Sequence, residues 1–597
     1  MSKLFAEIDL KNKVSRNSFD LSESLKFTAK AGELLPVYHR TVLPGDKFRI
    51  KLGCFTRTNP INSAPFTQIK EYVDFFFVPY RLMWRNAPSV FTSNKENPVS
   101  ASSPTASIAV SDKGAYLTSS NIYTDNHSLL TILDQKTNSF GYNRGKLAAK
   151  LLNHLGYPYI SKEQYDKLVG GTFVSFNQIN QQISAFPLLA YHKIYNDFYR
   201  NSRWEKAQPY LYNIDYSPNG AVYLPANASD AYYDSPTLFD LHYANYPKDL
   251  LMGLLPNSQY GDPANISNDN GDASIIVKVN GNEVKLGNVG FQSKAVTPYG
   301  SDNSMRGSNL SVQGSAGDSL RIESKDFKDA LNRSVSFLDI RNASFLQKYR
   351  EIYGSGQLDY KNIVRKIFGY QTHSSLADTC LYLGGHSSTV QVQEQVNQNL
   401  ATDDNYAPII KGTGTDASHS DVIEFEAPEH GIIMAIYHSA PVVDYVSNGF
   451  HPDITKVAVD DYANPCFDKL GFQQVPANLF YINMDDNGAV VNPFLGFQLR
   501  YFDYKTGFDR TLGDFRETKK NWLAPIDTSY IKDYFAKRSD GKYSMQVDWS
   551  FFKVDPKVLN PIFYVKADSD VTTDQFLCSI NFDIQAVRNL DVNGLPY

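Results

Sequence analysis

Apolar and polar residues alternate at period two in several widely separated stretches of the chain. Phe48, Ile50, Leu52 and Cys54 face one way, with Arg49, Lys51 and Gly53 between them, which predicts a strand with one buried face. Glu71–Val78 reads as a second strand, stopped by Pro79; its aromatic density suits a central or interface position rather than an isolated edge. Gly431–Tyr437 and Phe497–Tyr501 are later candidates. The clearest alternation is near the C-terminus, where Phe576, Cys578, Ile580, Phe582, Ile584 and Ala586 face one side and Ser579, Asn581, Asp583 and Gln585 the other. Strong strands near both ends are compatible with a sheet closed by distant segments, as in a Greek-key sandwich such as a jelly roll with long inserted loops.

Helical spacing interrupts this pattern. Leu147, Ala148, Leu151, Leu152 and Leu155 share a helix face, with Gly156 as a stop. Phe186–Tyr199 carries Leu188, Tyr191, Tyr195 and Phe198 about one turn apart, and Pro187 is tolerable in the first turn. Ile340, Ala343, Leu346, Tyr349 and Ile352 predict a further helix. Tyr360, Ile363, Val364, Ile367 and Phe368 predict another, with Asp359 as cap and Gly369 as terminator, and the two could pack as a hairpin.

Between these elements, residues 93–106 read as a connection. Residues 260–320 are rich in Gly, Asn, Asp and Ser and read as a projecting insertion, in which Asn280-Gly281 turns a short hairpin within Ile275–Leu286. Residues 1–40 lack a stable long period and read as an N-terminal arm that becomes ordered against something else. The remainder, 41–597, is expected to be one elaborated β domain. No repeat of the solenoid or propeller type is detected.

Composition sharpens this picture. The 597 residues are 13% aromatic, with 39 Tyr and 37 Phe, a bias that suits β surfaces and broad contacts because Tyr buries a ring and keeps a hydroxyl for a partner. The formal charge of −5 excludes a uniformly cationic nucleic-acid sleeve. The charge is uneven, however: residues 1–57 alone sum to +5. No apolar run approaches a spanning helix and no signal-like core follows Met1, which disfavours a secreted or membrane-embedded product. The four cysteines lack local pairs, so a reducing place of synthesis is the simpler reading.

Chemistry is sparse. His192 and Asp197 share the helix after Phe186 without an HExxH spacing, and His438 and Asp444 follow a strand; structural or solvated roles outweigh catalysis for all of them. Asp461, Asp468, Asp485, Asp486, Asp503, Asp509 and Asp514 supply carboxylates but reveal no preorganised pair. An interface calcium is compatible with such ligands, but no EF-hand spacing indicates it, so no cofactor is expected. Gly384–Ser388 reads as a turn rather than a phosphate loop. Lys3, Lys11, Lys13 and Arg16, with Phe5 and Phe19, could contact nucleic acid from the arm, which reads equally as a subunit-exchange segment. Lys361 and Arg365 lie four apart on the late helix, where a solvated face is the plainer reading.

The motifs in order along the chain resemble those of the major capsid proteins of microviruses, the small tailless single-stranded DNA bacteriophages, in their gokushovirus-like and Bacteroides-associated branches. The residues that carry the resemblance are Asn17–Ser22, Ala31–Val37, Leu43–Asp46, YVDFFFVPYRLMW over Tyr72–Trp84, Phe186–Arg200, Tyr360–Gly369, Tyr382–Gly385 and Glu429–Gly431. It implies a mainly β fold, an eight-stranded viral jelly roll with large inserted loops and helices. It further implies a homo-oligomer of sixty copies in a T=1 icosahedral shell around circular single-stranded DNA. A small basic DNA-packaging protein, a scaffold protein, a DNA pilot protein and a host surface receptor are the implied partners. Pro187, Tyr191, Lys193, Ile194, Asn196, Glu429, His430 and Gly431 are carried over as fold or shell-contact residues, none as a catalyst. The competing reading is a noncatalytic carbohydrate-binding or cell-surface β-sandwich, with a glycoside hydrolase a further alternative.

Overall fold

The computed structural model describes residues 16–61, 65–92, 109–111, 114–118, 137–138, 140–157, 182–216, 237–259, 277–279, 282–284, 320–321, 337–354, 360–370, 378–396, 410–446, 449–484, 490–491, 494–507, 509–527, 535–537, 543–545, 547, 549–563 and 574–592. The chain divides into two compact units: Met1–Ser258 with Gly356–Tyr597, and Gln259–Ser355.

The first unit is organised by ten strands: β1 (Asn17–Asp20), β2 (Glu23–Ala29), β3 (Leu35–Val42), β4 (Lys47–Thr58), β5 (Ile69–Pro79), β6 (Leu381–Val396), β7 (Ile410–His419), β8 (Ile423–Glu426), β9 (Gly431–Pro441) and β10 (Phe576–Arg588). The hydrogen-bonded path is β1-β10-β4-β7-β6-β5-β9-β3, with β2 also on β10 and β8 also on β4. All of these pairings are antiparallel. The long strand β6 belongs to two layers, since its first part pairs with β5 and its last part with β7. One layer then runs β2-β10-β4-β7 and the other β6-β5-β9-β3, which is the interleaved double Greek key of a jelly roll.

Alternation explains why these segments are strands. Along β4 every second residue, from Phe48 to Thr58, is buried, and β10 alternates likewise from Phe576 to Ala586. Strand β9, between β5 and β3, is buried along its whole length, as expected for a central strand covered on both faces. The layers meet through rings: Phe75 and Tyr38 pack on Phe582 with centroids 6.2 and 5.2 Å apart, and Phe27 packs edge-on to Tyr437 at 5.0 Å.

Two expectations are corrected. From Asn17 onward the expected arm is sheet, because Leu25, Phe27 and Ala29 alternate along β2 and the segment pairs with β10 at the far end of the chain. Gly384–Ser388 lies within β6, with a bulge between Tyr382 and Gly384. Glycine is needed there for space: a Cβ on Gly385 would sit 2.3 Å from an Asp74 carboxylate oxygen, and Gly384 has φ +133°.

The connection from β5 to β6 carries α1 (Arg144–His154), α2 (Phe186–Ile194) and, after the second unit, α4 (Tyr360–Phe368). Asn143 caps α1 by accepting from Lys146 N at 2.9 Å, and Gly156 follows its end with φ +74°. The predicted face of Leu147, Ala148, Leu151, Leu152 and Leu155 is buried. Helix α4 buries none of its residues; Phe368 is 75% exposed, so its apolar face is not covered within the described residues.

The second unit contains the two strands of the expected hairpin, with Val279 opposite Asn282, and Leu320–Arg321 added to Val277–Val279; Asn280 and Gly281 lie outside the described residues. The rest of the 260–320 insertion, and residues 93–106, lie outside the described residues. Helix α3 (Phe337–Gly354) completes the unit, with Gln347 bonded to Gln259 and, at 3.0 Å, to Glu351. The helices expected as a hairpin therefore fall in separate units.

Candidate shell and nucleic-acid contact residues

Helix α2 buries every residue except Pro187, which occupies the first turn, where its missing N–H costs no helical bond. The chain continues as a π-helical turn from Tyr195 to Tyr199, whose wider winding ends the α-helix earlier than the periodicity predicts. Tyr191 accepts from the His242 backbone N–H at 3.0 Å and donates to Leu34 O at 3.0 Å, tying α2 to the start of β3. His192 Nε2 bonds Leu238 O at 2.6 Å, which makes Nε2 the donor and Nδ1 the acceptor of the His242 Nε2 hydrogen at 2.8 Å. Burial lowers the His192 pKa to about 4 and holds that of His242 well below its ordinary value, so the pair is neutral at physiological pH.

Lys193 is also buried. Its ammonium donates to Asp378 O at 2.6 Å and to Asp197 Oδ1 at 3.1 Å, while Asp197 Oδ2 accepts from Cys380 N at 2.8 Å. Asn196 bridges Asp197 and Arg200, each at 3.0 Å, and Ile194 is 1% exposed. These bonds anchor the end of α2 to the segment that leads into β6. The tempting His192 and Asp197 are thus consumed by internal packing.

Glu429, His430 and Gly431 meet the exit of β5. Arg81 Nε donates to both Glu429 oxygens at 2.9 and 3.0 Å, and Tyr80 N donates to His430 O at 3.1 Å. The His430 ring stacks on Phe91 with centroids 5.1 Å apart. A Cβ on Gly431 would lie 2.6 Å from both Phe77 Cε2 and Val78 O, so β9 can approach β5 only with glycine at this position.

Lys3, Lys11 and Lys13 lie outside the described residues. Arg16 donates to Asn589 Oδ1 at 3.0 Å beside the end of β10. Lys361 and Arg365 sit on α4. Among the acids, Asp461 accepts from the Val457 and Ala458 N–H groups, Asp468 pairs with Lys505 at 2.5 Å and Asp503 with Lys456 at 2.8 Å; Asp485 and Asp486 are outside the described residues. Among the described residues no three metal-ligating side chains converge, and no helix is long and apolar enough to cross a membrane. The cysteines are free thiols, with Cys466 exposed and the other three buried.

Sequence reasoning missed several buried polar groups. Arg144 and Asp240, both at most 2% exposed, pair at 2.5 and 2.9 Å; Lys150 bridges Glu33 at 2.6 Å and Asp574 at 3.1 Å. Such pairs join distant segments and leave no local signal. Glu71 was detectable, because it occupies an inward position in the alternation Ile69, Glu71, Val73, Phe75, Phe77.

Comparison with known proteins bears out the resemblance to microvirus capsid proteins. Residues 9–144 and 158–597 match the family described as Capsid protein (F protein). The chain is 24% identical to the Capsid protein VP1 of Chlamydia phage 1 over 100% of this chain and 98% of that protein. It is 22% identical to the Capsid protein VP1 of Bdellovibrio phage phiMH2K over 98% and 95%, and 21% identical to that of Spiroplasma virus 4 over 66% and 64%. Because the family match spans nearly the whole sequence and the strands interleave as a jelly roll, this chain belongs to the phage F-protein capsid family.

Proposed function

We propose that this chain is the major capsid protein of a microvirus-type phage, and that sixty copies close into a T=1 shell around circular single-stranded DNA. The observation that carries this reading is the family match over nearly the whole chain, on a jelly roll whose long connections leave apolar side chains uncovered. In the described segment from Val457 to Leu470 every residue is exposed; Val457 and Val459 are each 88% exposed, alongside Tyr462, Phe467 and Leu470. A surface of that kind is what neighbouring copies cover in a closed assembly.

The reading is structural rather than enzymatic, since the described histidines and acids of the candidate sites are occupied in packing, caps and ion pairs. Sixty copies at −5 carry about −300, so genome phosphate must be met by local cations or by other basic components. We assign Lys3, Lys11, Lys13 and Arg16 to the inner surface, with a small basic packaging protein supplying further charge and a scaffold, a DNA pilot protein and a host receptor as additional partners. Assembly in the bacterial host cytoplasm fits the free thiols. Pro187, Tyr191, Lys193, Ile194, Asn196, Glu429, His430 and Gly431 then serve the fold of each subunit, and thereby the shape of the shell contacts.

Electron microscopy of the purified chain, with and without single-stranded DNA and scaffold, tests this. Closed uniform shells are expected; persistent monomers that bind glycans under all these conditions would overturn the reading in favour of a carbohydrate-recognition sandwich.

A further inference from the structure

Strand β2 and helix α1 flank a cleft of about 540 Å³ at one end of the β2-β10-β4-β7 layer. Its lining includes Lys26, Lys30, Lys146 and Lys150, against the acids Glu33 and Asp574. Both acids are engaged by Lys150, at 2.6 and 3.1 Å. Lys26 and Lys146 are exposed and make no ion pair among the described residues, while the Lys30 ammonium lies 4.9 Å from the centre of the Tyr142 ring. The cleft therefore presents cations in excess, and its volume is in the range of ligand-sized sites.

The outer face of the adjoining sheet continues this surface. Lys26, Ser579 and Phe55 form one cross-strand row, and Thr28, Leu577 and Arg57 form the next. Phe55 and Leu577 are 42% and 44% exposed, and the Arg57 guanidinium lies 5.3 Å from the Phe55 ring centre. A second, shallower depression of about 390 Å³ spans these rows and shares Lys26, Phe27 and Thr28 with the cleft. A partly exposed aromatic ring beside cations that form no ion pair among the described residues matches the two faces of a nucleotide, an anionic phosphate and an apolar base.

We propose that the cleft and the open sheet end beside it form one binding surface for single-stranded nucleic acid, with Lys26 and Lys146 meeting phosphate oxygens and Phe55 stacking a base. The proposal takes the identity of the strand from the capsid reading above, but the surface itself is argued from charge and shape. Its lining includes none of Arg16, Lys361 and Arg365.

The test is fluorescence anisotropy of end-labelled oligothymidylate with the full-length chain over a range of salt concentrations. In Lys26→Gln/Lys146→Gln, affinity at low salt should fall roughly 10-fold and the log–log salt slope should shrink by about 1.4, which is two single-strand phosphate contacts. Phe55→Ala should weaken binding roughly 10-fold with the slope unchanged, because stacking releases no counterions. All substituted side chains are exposed, and thermal melts check that each variant folds. Affinity and slope within twofold of the unsubstituted chain overturn the proposal. So does lost shell formation with unchanged oligonucleotide binding, which marks the cleft as a contact for another protein. Oligonucleotide binding that depends on these residues in a chain that forms no shells even with scaffold and single-stranded DNA present would instead count against the sixty-copy shell and leave this surface standing.

Discussion

Tyr437 on β9 donates its hydroxyl hydrogen to the Glu71 carboxyl group on β5 at 2.9 Å, and the same hydroxyl lies 3.3 Å from Cys578 Sγ on β10, in the opposite layer. This polar knot sits in the jelly-roll core, where desolvation pushes the Glu71 pKa up to about 7, opposed by hydrogen bonds from Tyr437 and Thr56. The fold thus favours the protonated carboxyl, whereas the unfolded chain ionises near the ordinary 4.5. Its stabilising effect is complete below pH 4.5, declines up to about pH 7 and is absent above that, a swing of up to ~3 kcal/mol.

Glu71→Gln keeps a neutral partner for Tyr437 and removes the titration. Thermal unfolding of the variant and the parent chain should differ little at pH 5, with the variant more stable at pH 8. Parallel pH profiles would contradict the assignment.

Asp240 is held by Arg144 and accepts from Thr237 N at 2.6 Å, so Asp240→Ala removes the carboxylate that balances a buried guanidinium. The expected cost is roughly 3–5 kcal/mol, the usual consequence of removing one member of a buried pair. Denaturant unfolding should show a lower midpoint with an unchanged slope. A loss below about 1 kcal/mol would mean that water replaces the carboxylate.

Gly431→Ala places a methyl group 2.6 Å from the Phe77 ring and from the Val78 carbonyl, on two strands buried along their contact. Overpacking of this kind costs about 1–3 kcal/mol. Differential scanning calorimetry should register it as a fall of about 1–3 degrees, since the unfolding entropy of a chain this long gives roughly one degree per kcal/mol, whereas Gly507→Ala, with open space around it, should leave the transition in place.

Lys193→Met removes the ammonium that joins Asp197 to the Asp378 carbonyl. The apolar stem is retained, so the lost packing is small and the loss of the counter-charge on Asp197, which keeps its hydrogen bonds from Cys380 N and Asn196, dominates. We expect roughly 3 kcal/mol of destabilisation and faster hydrogen exchange at Cys380 N, whose acceptor is Asp197. Unchanged exchange there would show that the motif does not brace the approach to β6.

The strongest strands and helices were legible because burial repeats locally. Phe576–Ala586 and Phe48–Cys54 announce themselves by period two, and Leu147–Leu155 by helical spacing. Strand β6 escaped detection because Gly384, Gly385, Ser387 and Ser388 carry turn chemistry, and only the approach of Asp74 on the next strand makes glycine a strand residue there. Strand β2 looked like an arm because its partner, β10, is at the other end of the chain.

Sequence alone therefore determined that the chain is mainly β, where its strongest strands and helices lie, and, through ordered motifs, which family it resembles. Local alternation and spacing depend only on neighbours along the chain, so they can be read without coordinates. Tertiary structure decided which acids are buried, which histidines are neutral, and that Lys26, Lys146 and Phe55 share one surface. Those properties arise from desolvation and proximity between segments brought together only by folding, and apart from Glu71, whose inward place on β5 follows the local alternation, no local pattern encodes them.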